Sequence, residues 1–140
     1  MSKYYDTMVA IKTGAMDCFD VARERVNMCF YPHEKDNKLL QNLDTDGAWV
    51  MIHFPSQGRY TGIVESSYYV IGVDVYWGFD EFIATEHEDV IQQVSDFIYY
   101  AVNTLHATAI SNTEPNYETH DHPARAMVSF QIEFPGGPCE

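Results

Sequence analysis

The most regular hydrophobic pattern in the chain runs over residues 85–105. Val90, Ile91, Val94, Phe97, Ile98, Ala101, Val102 and Leu105 recur at the 3.6-residue period, with Asp89, Gln92, Gln93, Asp96 and Asn103 opposite, which predicts an amphipathic helix. Thr85-Glu-His-Glu88 opens it in the form of a capping box, and its acidic first turn suits the positive end of the helix dipole. A second helical pattern begins at Thr7, where Met8, Ile11, Ala15, Cys18, Phe19, Ala22 and Val26 share one face. Gly14 weakens that helix by about 1 kcal/mol relative to alanine, and Tyr31-Pro32 ends it.

Three segments alternate at the two-residue period instead. In residues 48–54 Trp49, Met51 and His53 oppose Val50, Ile52 and Phe54, and Pro55 ends the strand. Residues 63–79 are β-branched and aromatic, and Ile71, Val73, Val75 and Trp77 alternate with Gly72, Asp74 and Tyr76, which predicts one buried face and one wet face. Residues 124–134 close the pattern, with Ala126, Val128, Phe130, Ile132 and Phe134 inward and Ser129, Gln131 and Glu133 outward.

Polar loops are expected over 32–47, around Leu39, Leu40 and Leu43, over 55–62, with Gly58 and Gly62, and over 107–123, with a short tail at 135–140. The resulting expectation is a single domain over 1–140 of the α+β class. It is a mostly antiparallel sheet flanked by two helices, in α-β-β-α-β order.

Composition adds that the fold needs no staples. Of 140 residues 46% are hydrophobic and 14% aromatic, enough to build a core unaided. Cys18, Cys29 and Cys139 are odd in number and widely spaced, giving neither a disulfide framework nor a CxxC pair, which points to a reducing compartment. The N-terminal residues lack the apolar run of a signal peptide, and nothing approaches the ~18 consecutive apolar residues of a spanning helix, so a soluble intracellular product is expected.

Charge divides the chain. Residues 1–70 carry seven basic and nine acidic side chains, whereas residues 71–140 carry twelve acidic ones and a single cation, Arg125. A formal net charge of -13 excludes the clustered Lys and Arg of a conventional nucleic-acid interface from the second half.

Candidate chemistry is sparse. His120 and His122 flank Asp121 beside Glu118, but in an extended segment only the two histidines share a side, whereas zinc needs three or four ligands. Further donors would have to come from His106, Glu114 or another subunit, so His120 and His122 are the only metal candidates and no cofactor is expected. His87 and Glu88 lack a nucleophile or an orienting partner, Gly58 and Gly62 lack phosphate-loop spacing, and Cys18 lies on an apolar helical face. A non-enzymatic role follows. The tyrosines Tyr68, Tyr69, Tyr76, Tyr99 and Tyr100 exceed what one small domain would bury, which favours assembly.

The order of elements resembles that of the tail terminator and tail-completion (head-tail joining) proteins of long-tailed bacteriophages. The resemblance covers most of the chain. It rests on the N-terminal helix, a GAWVMIHF strand after a long loop, an IGVDVYWGF strand leading into EDVIQQVSDFIYYAVNTL, and a polar loop ending in ARAMVSFQIEF. It is a likeness of layout and transfers no individual site. It implies a homohexameric ring that caps the tail tube protein, docks the head-completion or connector protein, and lets genomic DNA pass through its lumen without specific binding. Such a subunit would be made in the host cytoplasm and end in the virion. Leu39 and Leu40, Arg59 and Tyr60, Tyr99 and Tyr100, and Asn116, Tyr117 and Arg125 are the interface residues expected on this reading.

Two other classes fit an acidic domain. A DNA mimic that inhibits a host restriction or CRISPR nuclease would present its carboxylates as surrogate phosphates. A type III secretion chaperone is small, acidic and α+β, but that family usually ends in a helix, and this chain ends in a strand pattern and a PGGP tail.

Overall fold

A computed structural model describes residues 3–29, 48–53, 56–57, 68–79, 84–118 and 124–135. In chain order these form helix α1 (Lys3–Cys18), a 3-10 turn (Arg23–Arg25), strands β1 (Val26–Cys29), β2 (Ala48–His53), β3 (Ser56–Gln57) and β4 (Tyr68–Phe79), helix α2 (Ala84–Asn103), and strands β5 (Ala109–Ser111), β6 (Asn116–Glu118) and β7 (Ala124–Pro135). The architecture is α+β, a mixed sheet with both helices on one face.

Antiparallel β4 and β7 form the spine, paired along their whole length from Tyr68↔Pro135 to Phe79↔Ala124. Alternation decides what each strand offers the helices. Val50 and Ile52, then Tyr69, Ile71, Val73, Val75 and Trp77, then Ala126, Val128, Phe130, Ile132 and Phe134 all enter one buried cluster. Met8, Ile11, Ala15 and Phe19 of the α1 region meet it from above, as do Val90, Val94, Phe97 and Ala101 of α2. Gly14 of α1 faces the Tyr100 side chain of α2. A Cβ there would stand 2.0 Å from the Tyr100 ring, whose hydroxyl donates to the Ala10 carbonyl at 2.9 Å. The weak point expected in α1 is therefore a packing notch.

The order of elements differs from the expected α-β-β-α-β. The first helix does not run on to Val26. Asp20 takes the left-handed conformation (φ 52°), and the Val21 amide reaches back to the Met16 carbonyl at 3.1 Å, the hydrogen bond of a Schellman-type stop. Ala22 is exposed, and Val26 opens β1, which pairs in parallel with β2 (Val26↔Val50). The second helix begins at Ala84, so Thr85 lies within its first turn and is not the cap.

Residues 107–123, expected as a loop, hold two short strands. β5 and β6 both lie along the outer side of β7. Between them the chain advances five residues, from Ser111 to Asn116, against four on β7, from Gln131 to Met127. That two-for-one count is a bulge, and Asn112 within it has φ 58°. β3 also lies beside β4, with Ser56 opposite Val70 and Gln57 opposite Tyr69. The expected loops at 32–47 and most of 55–62, with the tail beyond Pro135, lie outside the described residues.

Candidate functional site

The sheet face away from the helices is not simply wet. Residues 73–78 of β4 are all buried, including Asp74 and Tyr76, which alternation had assigned to solvent. A second small apolar cluster explains this: Met51 and Tyr76, with Trp49 and Met127 packed against them. Register sets Trp49, Tyr76 and Met127 in one row across β2, β4 and β7 that continues to Asn116 of β6, while Met51 lies opposite Asp74 two rows further along the same face. The guanidinium of Arg25 lies 4.8 Å above the Trp49 ring, a cation–π contact.

Two rows further along, the Asp74 carboxylate accepts a 2.8 Å hydrogen bond from Nε2 of His53. Gly72 makes room for that imidazole, since a Cβ there would stand 3.3 Å from the ring. Bonding Nε2 as the donor leaves Nδ1 as the free ring nitrogen of the neutral form. Cys29 of β1 is in register with His53, so three strands bring these positions side by side. The sequence offered one signal for the pair, an aspartate inside the β-branched run VIGVDVYW, which the alternation rule hid by placing it on a wet face.

Where β4, β7 and β6 meet near Arg125, Tyr76, Asn116, Tyr117, Glu118, Arg125, Ala126 and Met127 line a recess of about 510 Å³, Tyr117 and Ala126 reaching it from the helix side of the sheet. Arg125 starts its row between Gly78 of β4 and Glu118 of β6. Its Nε is buried with no hydrogen-bond partner. A second recess of about 500 Å³, lined by Asn112, Thr113, Glu114, Asn116 and Ser129, shares Asn116 with the first. The second recess lies at the bulge, where residues 112–115 leave regular pairing with β7.

Of the expected interface residues, Asn116, Tyr117 and Arg125 are brought together in this recess. Tyr99 is distant from it on α2 and 69% exposed. Tyr100 faces α1, and burial followed by the nearby Cys18 and Asp17 pushes its phenol pKa up. Burial also raises the Tyr117 phenol, whose ring lies 5.2 Å from His87. Leu39, Leu40, Arg59, Tyr60, His120 and His122 lie outside the described residues. Of the five tyrosines expected to exceed what the domain buries, Tyr69 and Tyr76 are buried, each 5% exposed, because both sheet faces bury aromatic rings, and Tyr99 is exposed.

Cys18 is half-buried at the end of α1. Desolvation, reinforced by Asp96 and Asp17, pushes its thiol up to about 11, so at neutral pH it is protonated and a poor nucleophile. Among the described residues no group of three or more His, Cys, Asp and Glu side chains is placed to share a metal ion. No described helix is long and apolar enough to cross a membrane. A scan against protein-family models and a search of curated proteins each find no match to this chain.

Proposed function

We propose that this chain is a structural subunit that works by assembly, a tail-terminator type of protein forming a ring that caps a tail tube and joins it to the head connector. The observation that carries the assembly reading is an apolar flank of α2 that the fold leaves uncovered. Ile91 and Val102 are each 41% exposed, and they lie on the same side of the helix as the half-buried Ile98, away from Tyr100 and the α1 contact. Sequence periodicity had grouped Ile91 and Val102 with the core. Val90, Val94, Phe97 and Ala101 are buried and Ile98 packs against them half-buried, so Ile91 and Val102 widen the apolar arc of the helix beyond what the domain covers.

An uncovered apolar arc on a chain of net charge -13 serves association better than solubility. The acidic balance suits a lumen along which phosphate backbones slide without sticking. The phage setting itself rests on the resemblance in element order.

Native mass spectrometry over a range of micromolar concentrations tests this reading. The expected species has six times the chain mass, and Ile91→Glu combined with Val102→Glu returns it to monomer with an unchanged circular dichroism spectrum. A wild-type chain that stays monomeric and also fails to add to purified tail tubes would refute the proposal.

A further inference from the structure

Each helix leaves a stripe of its surface partly uncovered, and the two stripes face opposite ways. On α1 the stripe runs through Tyr5, Val9, Lys12 and Met16, on the side away from Ala10 and Gly14, which meet Tyr100 of α2. Tyr5 is 40% and Val9 39% exposed, and Lys12 and Met16 are half-buried. On α2 the same spacing of four, three and four residues runs from Ile91 through the exposed Ser95 and the half-buried Ile98 to Val102, on the side away from α1. Glu88, exposed, continues it toward the start of the helix. α1 packs over β1 and β2, and α2 reaches β5, at the opposite end of the sheet, so the stripes look out past opposite edges of the domain. Each is about 16 Å long at the helical rise per residue.

We infer that the α2 stripe of one copy packs against the α1 stripe of the next, a head-to-tail contact between two different surfaces of the same chain. This contact rests on the assembly reading above and names the surface that receives the α2 flank. A spacing of four and three residues is that of a helix–helix seam, and two seams of equal length interdigitate along their whole run. Charge selects α1, and not a second α2, as the occupant. Residues 3–25 are balanced, with Lys3, Lys12, Arg23 and Arg25 against Asp6, Asp17, Asp20 and Glu24, and the charged member of the stripe is Lys12. Residues 84–118, which hold α2, β5 and β6, carry six carboxylates and no Lys or Arg. Two α2 flanks would therefore bring like charges together, whereas the α1 flank sets a lysine against a stripe that begins with Glu88. The geometry also differs in where it stops. A contact between unlike surfaces leaves each copy one free stripe of each kind, so addition continues until the rotation closes into a ring, whereas α2 against α2 ends at a dimer.

The test uses two full-length variants, each blocking one stripe: Val9→Glu on α1, and Ile91→Glu with Val102→Glu on α2. Sedimentation from micromolar to millimolar concentration sizes each alone and then an equimolar mixture, native mass spectrometry with one chain ¹⁵N-labelled gives the composition, and circular dichroism checks folding. Each variant alone should be monomeric, because every contact needs one stripe of each kind. The mixture should form a labelled–unlabelled dimer and nothing larger, since the intact α1 stripe of one variant meets the intact α2 stripe of the other and the remaining two are blocked. If Val9→Glu fails to fold, Tyr5→Glu replaces it. Assembly of the α1 variant at the wild-type size, absence of the mixed dimer, or a wild-type chain that stays monomeric at millimolar concentration overturns the head-to-tail contact. The two readings fail separately. A sixfold wild-type species that the α1 variant also forms keeps the ring and removes this contact, whereas wild-type assembly of another size, with the mixed dimer still formed, removes the sixfold ring and keeps the contact.

Discussion

The chain has two tryptophans, one on each face of the sheet, and their indoles fare differently. On the helix side Trp77 is buried edge-on to Phe19 (ring centroids 5.8 Å), and its Nε1 donates to Gln93 Oε1 at 2.9 Å. On the other side Trp49 packs with Met51 and Tyr76 beneath Arg25, and its Nε1 has no acceptor. Both faces bury apolar surface, so burial does not separate them. What separates the two indoles is whether Nε1 finds an acceptor. On the helix face Phe19, Phe97 and Phe130 follow one another at 5.1 Å centroid spacing, and Thr7 pairs with Tyr69 at 3.0 Å. On the opposite face Trp49 Nε1 and Arg125 Nε are buried donors without an acceptor among the described residues.

The contrast can be broken most severely from the helix side. Phe97→Ala removes a ring in contact with Phe19 and Phe130 at the centre of the cluster and should cost about 3–5 kcal/mol, read as a lowered urea midpoint. A loss under about 1 kcal/mol would mean that the helix face is not the main source of stability.

A paired measurement sharpens the comparison at smaller amplitude. Gln93→Ala strips the acceptor from Trp77 and should cost about 1–3 kcal/mol, whereas Trp49→Phe removes a donor that has no acceptor and should cost distinctly less. Equal losses in the two denaturation curves would show that the Trp49 indole is satisfied after all.

The smallest effect is one of pH. The Cys18 thiol, raised by burial from 9.0 to about 11, holds its proton more tightly in the folded chain than in the unfolded one. Its contribution is therefore fully present below pH 9 and is lost as pH rises toward 11, where the unfolded chain binds fewer protons. Cys18→Ala should flatten the fall in melting temperature over that window, and an unchanged slope would assign the alkaline loss to other groups.

Much of this fold can be read from the sequence, for definite reasons. α2 and β7 announce themselves because each has a solvent-facing side and so a clean period. The errors fall where one position serves two demands. In residues 18–26 the helical period outlasts the helix because Val26 is apolar for the sheet, and the stop depends on a left-handed Asp20 in place of the usual glycine. In β4 the period-2 rule fails at Asp74 and Tyr76 because both faces of a central strand are buried. In residues 109–118 the bulge and Pro115 break two short strands into a loop-like sequence, and pairing with β7, remote along the chain, restores them. The Arg125 recess was only half legible. Its residues stood out as an isolated cation and a polar, tyrosine-containing stretch, but their convergence comes from strand register, which a single sequence does not display.

The pairing of β4 with β7 also bears on how the chain comes off the ribosome. β4 is flanked by β2 on one side and β7 on the other, and β7 is synthesised only after all of α2, β5 and β6. During that interval β4 can acquire β2, but its other edge, next to Ile71, Val73 and Val75, has no native strand to receive. β5 and β6 cannot substitute, since both depend on β7 for their only pairing. A nascent chain stopped short of residue 124 is thus a half-sheet with an open, β-branched edge, a natural client for a holding chaperone and prone to aggregate if left alone.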